Sequence, residues 1–177
     1  MQRSAISMVL TTFALLLVSS EAHAQKPFAF LGGGFTIPTG AYKDTVKTGW
    51  AGTVGVGLNI GKQGAWVDVE GYYGSNNFKG TSKDKNRLAS LMGAVGYMFS
   101  PGKKVRPYLT AGAGFLTKRL KSATSTVNTS ETKFAYTGAA GLSFEVGPKT
   151  SLYVEGRWLG SSGTNVVPVL VGIILNF

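Results

Sequence analysis

The 177-residue chain carries 18 Lys and Arg against 8 Asp and Glu, a formal net charge of +10, with no cysteine and a single histidine. Without cysteine there is no disulfide staple, no thiol nucleophile and no thiolate zinc site. A chain of this length is expected to build one domain around a single core or barrel.

The first segment reads as an export signal. Met1–Ser7 carries one positive charge, Arg3; Met8–Ser19 (MVLTTFALLLVS) is mostly apolar; and Ala22-His23-Ala24 puts small residues where signal peptidase cuts. The apolar run falls short of the roughly 20 residues that a helix needs to cross a bilayer. Residues 1–24 are therefore expected to be a cleaved signal peptide, and residues 25–177 the mature domain. Cleavage removes His23, the only imidazole. What remains is expected to be non-enzymatic, with no catalytic residues, no cofactor and no metal, because Ser-His and Cys-His pairs and His/Cys zinc sites are all out of reach. Arg3 and Glu21 leave together, so the charge stays at +10. Export also separates the chain from cytoplasmic nucleic acid, the usual partner of so basic a protein.

Beyond residue 25 no run has the length and apolarity of a membrane helix. Apolar and polar residues instead alternate with a period of two, punctuated by Gly, Pro, Asn and Ser. Predicted strands cover 28–37, 49–60, 65–77, 87–100, 105–117, 133–146, 151–160 and 166–177. Between them, short turns (Gly61–Gly64, Pro101–Lys104, Gly147–Thr150) alternate with longer loops (38–48, 78–86, 118–132 and a shorter 161–165). In an antiparallel meander this puts every turn at one end and every loop at the other. The fold expected is all-β: an eight-stranded antiparallel up-and-down transmembrane barrel.

The two faces of the strands differ as that fold requires. One parity is free of charge: Trp50, Val54, Val56, Leu58 and Ile60; Val67, Val69 and Tyr73; Leu109 and Phe115; Tyr136, Leu142 and Phe144; Leu152, Val154 and Trp158; Val167 through Phe177. The other holds Thr53, Asn59, Asp68, Glu70, Arg106, Thr110, Thr137, Ser143, Glu145, Glu155, Arg157 and Asn176, with many Gly and Ala between. The alternation alone leaves open which face points outward. Aromatics near both strand ends favour lipid outside, with Trp50, Tyr73, Phe115, Tyr136 and Trp158 toward the loops and Tyr97, Phe99, Phe144 and Phe177 toward the turns. Eight strands also leave a lumen only wide enough for side chains, which suits the small residues of the charged face.

The signal segment, the first strand FAFLGGGFTIPTG, the eight alternating strands and the final Phe177 resemble the small outer-membrane β-barrel proteins of Gram-negative bacteria, the OmpA/OmpX-like group. The resemblance implies location in the outer membrane, lipid and lipopolysaccharide as surroundings, and Phe177 as the signal read by the barrel assembly machinery. Pro168 departs from the pattern, since it cannot donate to a ladder in a barrel that has no free edge. Pairing is expected to stop near it, at the loop end.

Two charged constellations stand out. Asp68, Glu70, Arg106, Glu145, Glu155 and Arg157 share the inward parity and are assigned to the half of each strand nearest the turns. Buried carboxylates need partners, so Arg106 and Arg157 are expected to join them in a lumenal ion-pair network that plugs the barrel or gates a narrow path, with water or a turn lysine balancing the excess acid. The loops carry a basic patch of Lys79, Lys83, Lys85, Arg87, Lys118, Arg119, Lys121 and Lys133 against Asp84 and Glu131, facing the phosphate groups of lipopolysaccharide or an external ligand. The function expected is that of a structural, surface-exposed outer-membrane protein. A narrow ion-conducting pore and a soluble lipocalin-like periplasmic barrel are the alternatives. Other motifs have ordinary explanations: Gly55–Gly61 approximates a dinucleotide fingerprint with the wrong spacing and no following helix.

Overall fold

The computed structural model describes residues 26–60, 64–80, 85–121 and 129–177. Its strands are β1 Lys26–Pro38, β2 Gly49–Ile60, β3 Ala65–Asn77, β4 Lys85–Met98, β5 Val105–Lys121, β6 Thr129–Gly147, β7 Thr150–Ser161 and β8 Thr164–Asn176. Each pairs antiparallel with the next, and β8 returns to β1 from Phe28↔Asn176 to Pro38↔Val166, closing the barrel. Closure leaves no strand edge unpaired, which a chain surrounded by hydrocarbon requires. The predicted signal segment 1–24 and Lys83 lie outside the described residues, as does the side chain of Lys121.

Strands β2 and β3 match the predicted bounds, and the others shift. β5 and β6 rise past the predicted ends at 117 and 133, pairing Lys118 with Glu131 and Arg119 with Ser130. These rungs are polar on both faces, so they lack the apolar alternation that marks a strand crossing lipid. The loop predicted at 161–165 contracts to Ser162-Gly163, because Ser161 pairs with Thr164. Gly163 makes so tight a reversal possible by taking φ 78°, where a Cβ would clash with its own backbone. The loop at 38–48 contains a short 3-10 helix, Gly40–Asp44, that carries the buried Tyr42.

The expected end of pairing near Pro168 is not observed. β8 continues past it, with Thr36↔Pro168 and Pro38↔Val166 on the β1 side. The interruption falls on the other neighbour. The β7–β8 ladder runs to Gly156↔Val169 and resumes at Leu159↔Val166, leaving Arg157 and Trp158 unpaired opposite Val167 and Pro168. A missing N–H thus opens a two-residue gap in one ladder without ending the strand.

The apolar parity faces outward. Leu31, Val56, Val95, Phe115 and Val171 are each about 60 % exposed, and the aromatic girdles pair as Trp50–Tyr73, Phe115–Phe134, Tyr136–Trp158 and Tyr97–Phe99. This overturns the lipocalin-like alternative, which needs that face inside. The lumen contains more than ions and small residues. Phe28, Trp66, Tyr72, Tyr108 and Tyr153 fill it together with Leu88, Met92, Leu116, Leu159 and Leu170. Glycines on neighbouring strands make room for the rings: a Cβ on Gly96 would overlap the Trp66 indole, and one on Gly141 the Tyr108 ring.

Candidate functional site

Three layers follow one another along the lumen from the turn end to the loop end. The lowest is an aromatic arc. Tyr153, Phe30, Phe28, Trp66 and Tyr108 follow one another ring to ring at centroid distances of 6.5, 6.2, 6.5 and 5.8 Å, three of the four contacts edge to face. They sit on β7, β1, β3 and β5 because alternate residues of each strand point to the axis.

The second layer is ionic. Arg157 Nε donates to Glu155 Oε1 at 2.8 Å, and Arg157 Nη1 donates to Glu70 Oε1. Tyr108 Oη donates to the second Glu155 oxygen at 2.9 Å. Glu70, Glu155 and Arg157 are all buried. Glu70 on β3 and Arg157 on β7 lie 87 residues apart and on strands that are not neighbours, so this bond crosses the barrel axis. Asp68 is differently placed. Its Oδ2 accepts from Trp66 Nε1 at 2.8 Å, while Oδ1 is buried with no partner.

The six charges predicted for the lumen fall into separate sets. Arg106 turns toward the mouth, with Nη1 3.6 Å from Glu145 Oε2 and Nη2 donating to Ser151 Oγ at 2.8 Å. The Glu145 side chain is 43 % exposed, so its carboxylate is solvated at the turn end and not buried in the lumen. Among the described residues no ion pair joins Arg106 to the Arg157 cluster. Arg157 is not in the half of β7 nearest the turns: it lies past the midpoint, on the loop side, and its long side chain reaches back to Glu155 and Glu70.

The third layer is an apolar seal at the loop end, where Leu88, Leu159, Val166 and Val46 are fully buried; Leu170, also fully buried, stands lower, in register with Glu155. Tyr42 caps it from the 3-10 helix, its hydroxyl accepting a hydrogen bond from Asn86 Nδ2. Burial pushes the Tyr42 phenol pKa above its ordinary value. The parity of Trp66, Tyr72, Tyr108 and Tyr153 was legible in the sequence. Their place in the lumen leaves no separate signal there, because aromatics near strand ends fit the outer girdles equally well.

The basic residues of the loop end divide by environment. Lys79, Lys85 and Arg119 are exposed and Arg87 is half-buried. Lys133 is engaged, with Nζ 3.0 Å from Glu131 Oε1. Lys118 folds over the Tyr42 ring, its Nζ 5.2 Å from the centroid. On the outer face, Arg87 stands directly opposite Arg119, and one rung higher Lys85 pairs in register with Lys121. Lys43 and Lys47, exposed in the first loop, add to this end and were not part of the predicted patch.

An outward girdle of apolar residues around a closed, packed cylinder defines an integral β-barrel of the bacterial outer membrane. Residues 10–162 match the outer membrane protein beta-barrel domain, and the chain belongs to that family. Its fold is similar to that of Neisserial surface protein A (NspA; TM-score 0.65, 14 % identity, 85 % of this chain and 97 % of that one). It is also similar to Ail of Yersinia pestis, solved in complex with the heparin analogue sucrose octasulfate (0.60, 14 %, 88 % and 100 %). The N-terminal β-barrel domain of Pseudomonas aeruginosa OprF gives 0.57 at 16 % identity, covering 88 % of this chain and 100 % of that one. At these identities the likeness is one of fold. No curated protein matches the sequence.

Proposed function

We propose that this protein is a non-enzymatic, surface-exposed barrel whose loop end holds the phosphate groups of lipopolysaccharide. Residues 1–24 direct export, residues 25–177 form the mature barrel, and Phe177, closing the last strand, addresses the chain to the assembly machinery. The observation that carries the reading is the outward rung Arg87↔Arg119, with Lys85 above it. Like charges placed directly opposite each other destabilise a sheet unless an anion lies between them. This rung stands four residues above Phe115 in the outer aromatic girdle, roughly 10 Å further from the bilayer centre for tilted strands. That is headgroup level, where a guanidinium pair meets phosphate as a fork. Ail, a barrel of similar fold, was solved in complex with the heparin analogue sucrose octasulfate, a polyanion, which supports anion binding on this scaffold. A non-enzymatic role is supported by the mature chain's lack of His and Cys.

The test is reconstitution in lipopolysaccharide-containing and in phospholipid-only bilayers. The native barrel is expected to be more heat-resistant in the former, and Arg87→Glu with Arg119→Glu to remove that gain while leaving stability in phospholipid unchanged. An equal gain for native and charge-reversed barrels would refute the reading.

A further inference from the structure

Below the ionic layer the lumen opens toward the turns as a cavity of about 70 Å3. The aromatic arc walls it, and Asp68, Glu70, Glu155 and Arg157 line its closed end. Asn59, Met98 and Asn176, at or near the strand ends, frame the opening. In outer-membrane barrels the short-turn end faces the periplasm, so the cavity is entered from that side.

Its chemistry is one-sided. Three carboxylates face one guanidinium, and that guanidinium pairs with Glu70 through Nη1 and with Glu155 through Nε. Asp68, only 7 % exposed, keeps one oxygen without a partner and has no cation within ion-pair distance among the described residues. Tyr153 Oη, on another strand of the lining, is likewise buried and unpartnered. An excess of negative charge, an orphan carboxylate oxygen and a curved wall of π faces together favour a cation on an apolar stem. The rings attract the charge through their quadrupoles, the stem packs on their carbon, and the carboxylate accepts the N–H bonds. A hydrated metal ion matches poorly, since the wall offers it rings in place of oxygen ligands.

We propose that this cavity is a binding site for an alkylammonium group, presented either by a free diamine or by a lysine side chain of a periplasmic peptide. Asp68 is the anchor, and Trp66 and Tyr108 are the walls. The site ends beneath the Arg157 cluster, so it binds without passing its ligand through the barrel.

Trp66 reports occupancy directly. Of the three tryptophans, Trp50 and Trp158 lie on the outer face, so Trp50→Phe with Trp158→Phe leaves Trp66 as the only indole. In that barrel, refolded in detergent, n-butylammonium and butane-1,4-diamine are expected to shift the emission saturably, and sodium ion and n-butanol to leave it unchanged. Asp68→Asn, checked for heat-modifiable gel mobility, is expected to weaken binding about tenfold or more. Saturation by the diamine but not by Gly-Lys-Gly identifies a free amine as the ligand; saturation by the tripeptide identifies a lysine side chain. Absence of saturation with all three amines, an equal response to n-butanol, or undiminished binding by Asp68→Asn each overturns the proposal. Should Asp68→Asn not fold, the comparison of n-butylammonium with n-butanol decides the matter.

Discussion

Arg157 is the side chain on which the lumen turns. It neutralises two buried carboxylates from two strands, and one of its bonds spans the barrel. Truncating one partner of a buried pair leaves the others charged and dry, which costs about 3–5 kcal/mol. Arg157→Ala is therefore expected to lower the temperature at which the barrel loses its compact gel mobility, and to shift its denaturant midpoint down by an amount in that range. Replacing the whole triad with apolar residues of similar volume, Arg157→Met with Glu70→Leu and Glu155→Leu, is expected to recover most of the loss, because neither carboxylate that Arg157 neutralised is then left charged and dry. Unfolding of the two variants in detergent at several denaturant concentrations measures both effects, and equal destabilisation would show that packing around Arg157 matters more than its charge. The inward direction of these residues was legible from parity alone. Their grouping was not, because register between strands that are not neighbours is set by the tilt of the closed barrel and leaves no local trace. The same holds for Arg106, whose parity is inward but whose depth lets it pair with Glu145 at the solvated mouth.

At the level of the strand, legibility followed lipid. β2 and β3 alternate outward apolar residues with the opposite face over most of their length, and the Gly61–Gly64 turn and the Ser75-Asn76-Asn77 end of β3 mark their limits, so they could be bounded from the sequence. β5 and β6 could not, since their upper rungs stand clear of hydrocarbon and pair polar residues such as Thr117 and Thr132, whose hydroxyls lie 2.8 Å apart. Pro168 shows the opposite case, a residue that signals an end where none occurs. β8 is held there by β1 while its bond to β7 lapses across two positions. Pro168→Ala restores an N–H opposite Arg157 and gives back backbone freedom to the unfolded chain. The first effect adds about 0.5–1.5 kcal/mol and the second removes about 0.4–1 kcal/mol, so the net change in stability is expected to be small. The decisive readout is local: amide exchange by NMR should show a protected proton at position 168. A fast-exchanging amide there would mean that the gap in the ladder has another cause than the missing donor.

For the molecule as a whole, the order of layers decides whether ions can cross. From the turn end an ion would meet a negatively charged cavity, then the Arg157 cluster, then a seal of Leu88, Leu159 and Val166 capped by Tyr42. A water-filled path would have to interrupt two layers that differ in chemistry, so weakening one does not open the other. The native barrel is accordingly expected to give no stable current steps in planar bilayers. Leu88→Ala with Leu159→Ala is expected to cost about 2–5 kcal/mol per site through lost burial and cavity formation, and still not to conduct, because the bridge from Glu70 through Arg157 to Glu155 remains beneath. Combining those truncations with Arg157→Ala removes both layers, and that variant is the first expected to pass current. Recordings on the three proteins in parallel test the order directly. Steady conductance in the native barrel would restore the narrow pore as its function, and conductance after the leucine truncations alone would make the apolar layer the sole barrier.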